Sequence, residues 1–170
     1  MLDFLFRRLT AEDLGGTALF AAATVEARRP FWFRDGAVPD TIDGRFAMLS
    51  TVLALILVRI EREGDSGNPL SVALTERFIA VMESEHRELG LGDPALGKTV
   101  RKLVGSLAKR TELWRGAIAG ACDWRDATRD SLYRGKAPAN AVHQAGIALK
   151  AFWSSLEKTG RGALAEGRFE

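Results

Sequence analysis

The 170-residue chain has a single cysteine, Cys122, and only two histidines, His86 and His143. One thiol excludes an intramolecular disulfide and any cysteine-based metal site within one chain. It also makes a reducing compartment the default expectation. The histidines lack HExxH spacing, since Arg87 follows His86, and the sequence assembles neither a metal centre nor a catalytic triad around them. Charge of one sign is scarce too: 24 Lys and Arg face 22 Asp and Glu, leaving +2. That excess is too small and too dispersed for a nucleic-acid-binding domain. No GxGxxG or Walker loop occurs, so nucleotide binding has no support. The longest apolar stretch, Phe46–Val58, is interrupted by Ser50 and Thr51. It falls short of the roughly 18–20 residues that a membrane crossing needs. Strand-type alternation is missing throughout.

What remains is helical periodicity in a chain that is 46% hydrophobic, enough for one core. The reading is an all-α, single-domain bundle of about five to seven helices over residues 1–170. Its clearest unit is a helix pair between Met82 and Arg110. Gly90 and Gly92 supply the φ > 0 conformations that end a helix. Asp93 is a good N-cap, with Pro94 at the first helical position. In the second helix Leu96, Val100, Leu103, Val104 and Leu107 share one face, and Lys98, Arg101, Lys102 and Lys109 share the opposite one. Gly105 lies among those cations, and a glycine inside a helix costs on the order of 1 kcal/mol, which suggests close approach there. The stripe reads either as a solvated face or as a docking strip for an acidic partner or lipid headgroups. The preceding helix, residues 71–89, turns Leu74, Phe78, Val81, Met82 and Leu89 inward, with Glu85 at the rim.

Along the rest of the chain, Met1–Leu9 is a candidate amphipathic segment, docking on the body or touching a membrane surface. Asp3 among its apolar residues, without a basic region ahead of them, argues against a secretory signal. A helix over residues 11–29 ends at Pro30. Phe31, Trp32 and Phe33 then read as a core-plugging loop or as an exposed apolar patch for a partner. Asp40 is expected to cap the next helix, with Asp43 three residues on. That helix, apolar nearly all round, is expected to be the central one. Residues 61–69 read as a flexible connector. A helix over 111–132 carries Gly116 and Gly120 at a close-packing interval, and the last helix covers 139–158. Residues 160–170 are expected to fray.

Two stretches carry a family resemblance. AVPDTIDGRFAML (residues 37–49) and MESEHRELGLGDPALGKTVRKLVGSLAKR (residues 82–110) resemble the ubiquinol–cytochrome c chaperone family, assembly factors of the respiratory cytochrome bc1 complex. The likeness spans about residues 25–120 and gives out beyond Leu132. It implies a non-enzymatic chaperone with no cofactor. Its partner would be newly made cytochrome b or another bc1 subunit, with a small co-chaperone and the membrane surface as further contacts and nucleic acid excluded. It places a bacterial-type member in the cytoplasm, peripheral at the inner face of the inner membrane. Lys98, Arg101, Lys102, Lys109 and Arg110 are the candidate client contacts, with Phe31, Trp32 and Phe33 as apolar ones. Asp40, Asp43, Gly44, Arg45, Arg87, Glu88, Gly90, Gly92 and Asp93 read as caps, turns and ion pairs, with Arg45 and Arg87 partnering Asp43 or Glu83. A haem-handling or small-ligand-binding helical protein using His86 or His143, and a generic peripheral membrane adaptor, stay open as alternatives.

Overall fold

A computed structural model describes residues 15–134 and 136–169. Among these residues the chain is helical, without strands: α1 Gly16–Ala27, α2 Pro30–Arg34, α3 Ile42–Glu61, α4 Asn68–Glu88, α5 Asp93–Ile118, α6 Trp124–Tyr133, α7 Ala139–Lys158 and α8 Arg161–Ala165. α2 and α8 are five-residue turns of helix, so six longer helices form the bundle.

α3 is the axis. Its residues from Ser50 to Ile60 are all buried, because α1, α4, α5, α6 and α7 all pack against it. A helix surrounded in this way must be apolar all round, and its few polar side chains must find partners inside. Thr51 Oγ1 donates to Ala47 O at 2.7 Å and shares a 2.6 Å hydrogen bond with Ser131 Oγ. Ser131 Oγ also accepts from Trp114 Nε1 at 3.2 Å, which joins α3, α5 and α6 at one point. Arg59 is 9% exposed. Its Nε donates to Leu156 O at 2.8 Å and its Nη2 to Thr159 O at 2.9 Å, so it satisfies the open carbonyls at the end of α7. Glu63 pairs with the same guanidinium.

Several expected boundaries move, each for a physical reason. The cap of α3 is Thr41, not Asp40: its hydroxyl accepts from Gly44 N at 3.1 Å. The aromatic triplet lies on α2, started by Pro30, rather than in a loop. The connector after α3 winds into a 3₁₀ turn over Gly64–Gly67, with Gly67 buried, and α4 starts at Asn68 rather than residue 71. α5 runs through Arg110 to Ile118, because nothing there breaks it: Thr111 is buried, with its hydroxyl on Leu107 O. The break comes at Gly120, with φ +77°. The Gly116–Gly120 interval therefore marks a helix end, not a helix crossing; the space beside Gly116 faces Cys122 Sγ.

The described C-terminal residues, as far as Phe169, are packed on the body of the bundle. Leu164 is fully buried, and the Phe169 ring meets Phe152 edge-on at 5.4 Å. A side chain at Gly167 would press on Ala18 O, 2.5 Å from its Cβ, so that segment is seated on α1. Met1–Leu9 lies outside the described residues.

Candidate partner-binding face

The turn before α5 fixes how that helix is presented. Gly90 has φ +88°; Leu91 N donates to His86 O at 3.2 Å and Gly90 N to Arg87 O at 3.0 Å. This pair of reverse bonds is the Schellman ending of α4. Gly92 is extended, not left-handed, and is itself the N-cap of α5, with Asp93 as the first helical residue. Asp93 and Arg87 approach to 3.9 Å across the turn, both exposed, and Glu88 is exposed beside them. Leu89, expected inside, is 71% exposed; the half-buried apolar residue at this corner is Leu91.

α5 then lays Leu96, Val100, Leu107, Thr111, Trp114 and Ala117 against the core. Lys98, Arg101, Lys102 and Lys109 are all exposed. At 100° per residue they fall within an arc of about 100°, spread over about 16 Å of axis. Among the described residues no carboxylate pairs with any of the four. The stripe ends at Arg115, which Glu61 and Glu112 both bind, the first at 2.8 Å. Hydrogen bonding to Glu61 holds the Arg115 guanidinium above its ordinary pKa.

Arg110 does not stand with the other cations. Periodicity places it about 120° from Lys98, over the seam with α6. Its Nε and Nη2 donate to Ser131 O at 3.2 and 3.0 Å, and its Nη1 reaches Ser106. The guanidinium lies 6.0 Å from the centre of the Phe46 ring. Burial, then the charge of Arg134, lowers its pKa. This side chain ties α5 to α6. Trp32 is likewise closed to a partner: it is fully buried and its Nε1 donates to Glu26 O at 2.8 Å. Phe31 and Phe33 are half-buried and packed on the core.

The other motif stretch is mostly joinery. Gly44 has no room for a side chain, since a Cβ would overlap the Pro39 carbonyl oxygen and sit 2.9 Å from its carbon. Val38 N donates to Trp32 O at 2.9 Å. The Tyr133 hydroxyl donates to Gly36 O, and burial pushes its pKa up to about 12. Arg45 pairs with Asp40 at 2.6 Å, and Asp43 with Arg134 at 3.5 Å, instead of Arg45 with Asp43. The hydrogen bond from Arg45 lowers the Asp40 pKa. Between these pairs stands Ile42, 80% exposed; its polar neighbours on both sides were the available sign of that exposure. His86 Nδ1 lies 2.8 Å from Met82 O, while His143 is exposed in a shallow groove of about 200 Å³ with Trp124 and Lys150.

Residues 34–166 match the family described as ubiquinol-cytochrome C chaperone. The chain belongs to that family. The matched span holds both motif stretches and all of α5, and it continues through α7 into α8, well past the point where the sequence likeness gave out. A solved structure described as the Cbp3 homolog from Brucella abortus is similar over 100% of this chain and 97% of its own, at 25% identity and a TM-score of 0.77. No curated protein matches. Within this chaperone family fold, α5 is thus a core helix on one side and, on the other, a row of exposed cations without a carboxylate partner among the described residues.

Proposed function

We propose that the chain is a non-enzymatic assembly chaperone of the cytochrome bc1 complex, holding newly made cytochrome b or another bc1 subunit through α5. The observation that carries this reading is the row of exposed cations, Lys98, Arg101, Lys102 and Lys109, without a carboxylate partner among the described residues. Many surface arginines elsewhere are neutralised within the fold, as Arg62 is by Glu157 and Arg129 by Asp126. Cations left unpaired on one face attract acidic segments and steer their approach. An unassembled membrane subunit presents such segments in its loops and helix ends.

Membership of the chaperone family supports the role, and the likeness to a Cbp3 homolog supports it independently. The reading places the chain in the cytoplasm, peripheral at the inner face of the inner membrane, where the client would emerge; a small co-chaperone is a further partner. Among the described residues no helix is long and apolar enough to cross a membrane, so attachment there would run through surface contacts. The test is deletion of the gene. Loss of cytochrome b and bc1 activity, with other respiratory complexes retained, is expected. Normal cytochrome b levels and normal bc1 activity would contradict the proposal.

A further inference from the structure

The cations of α5 form an ordered edge. Lys98, Lys102 and Lys109 lie in one row along the helix; Gly97, Val104 and Ala108 lie in a second row about 120° round, with Arg101 and Gly105 between. Lys98, Lys102, Lys109, Gly97, Gly105 and Ala108 are exposed, and Val104 is half-buried. A Cβ added at Gly97 or Gly105 would meet nothing within 4 Å. The fold itself therefore has no use for glycine at these places, and both lie inside a 26-residue helix.

We infer that this face receives an amphipathic α-helix of the partner, bearing carboxylates along one flank. The inference rests on the reading that α5 binds a protein client, and it specifies what the bound segment is. The low floor at Gly105 and Ala108 lets a second helix axis approach toward the short end of the usual separation, about 8 Å. The lysine row then lies alongside its flank. Lysines four and seven residues apart ask for carboxylates at matching intervals: i, i+4 and i+11 on a parallel helix, or i, i+7 and i+11 on an antiparallel one. A lipid surface fits less well. Membrane-lying helices insert large apolar side chains, and among the described residues the large exposed hydrophobics, Val25, Ile42, Val72, Leu89 and Ile147, all lie off α5.

The experiment uses the full chain and two synthetic peptides of equal composition, about 22 residues long so that they span the face as helices. One carries its glutamates at the matching intervals beside an apolar stripe; in the other they are spread round the helix. Binding is followed by fluorescence anisotropy, with vesicles of phosphatidylcholine and phosphatidylglycerol as competitor. The matched peptide is expected to bind at least about tenfold more tightly. Gly105→Leu is expected to weaken it by a similar factor while helical content and melting are retained. Equal binding of the two peptides, indifference to Gly105→Leu, or displacement by the vesicles would overturn the inference. Capture of cytochrome b separates this from the parent reading. If Lys98→Glu/Arg101→Glu/Lys102→Glu loses cytochrome b and Gly105→Leu keeps it, the helix inference fails while client binding stands. If the charge variant keeps cytochrome b, client binding through α5 fails.

Discussion

The same substitution, glycine to alanine, is expected to act with opposite sign at Gly44 and Gly105. At Gly44 the new methyl group would occupy the position of the Pro39 carbonyl oxygen, and no rotation relieves a clash between backbone and Cβ. The segment from Val38 to Thr41 has to move off the start of α3. That movement undoes the Thr41 cap, worth about 1 kcal/mol. It disturbs the buried bond from Tyr133 to Gly36, whose loss costs about 1–3 kcal/mol. It also opens Val38, now 2% exposed, for a further cost of about 1 kcal/mol. Together these predict a loss of about 3–5 kcal/mol, or roughly 6–20 °C in melting temperature for a domain of this size. At Gly105 the methyl meets nothing, and removing a helix-interior glycine stabilises by up to about 1 kcal/mol, a rise of about 2–4 °C. Thermal unfolding followed by circular dichroism reads both. A Gly44→Ala protein melting within about 2 °C of the parent chain would refute the argument that this motif glycine is there to seat Pro39.

Arg59→Met removes the donors to Leu156 O and Thr159 O and should lower stability by about 2–4 kcal/mol in urea titration; an unchanged midpoint would show that the end of α7 holds without it. Burial raises the Tyr133 pKa from 10.0 to about 12, so the folded chain keeps a proton that the unfolded chain loses, and stability should fall as pH rises through that window. Tyr133→Phe should be less stable at neutral pH by about 1–2 kcal/mol and should decline less between pH 10 and 12. Arg110→Leu should destabilise by about 1–3 kcal/mol, since Ser131 O loses its donors, whereas Lys98→Ala should stay within about 0.5 kcal/mol of the parent.

How far the sequence could be read follows from how local each signal is. The nearly all-round apolar character of α3 forecast the central helix, and the Gly90 turn was legible because a Schellman ending depends on its own few residues. The interruption assigned after Arg110 was misplaced because a basic pair resembles a helix end; the left-handed Gly120 is the real stop. Arg110 was grouped with the outward cations because its burial depends on distant chain, Ser131 of α6; of the two places read for Trp32, core plug or exposed patch, it takes the first. Arg59 passed unnoticed, although a single arginine inside an apolar run is itself a signal of a buried cap. The C-terminal segment read as a frayed tail because the surface that receives Leu164 and Phe169 is built by distant chain, α1 and α7. At the candidate face periodicity was sufficient for Lys98, Arg101, Lys102 and Lys109, whose exposure needs only one helix and one buried side.

The central claim is that these outward cations hold a bc1 subunit. The most direct measurement is capture of cytochrome b by the tagged full-length chain, compared with its Lys98→Glu/Arg101→Glu/Lys102→Glu variant, with helical content of both checked by circular dichroism. The account predicts that the variant keeps its fold and loses cytochrome b, and that raising the salt weakens capture by the parent chain through screening. Undiminished capture by a folded variant would contradict it.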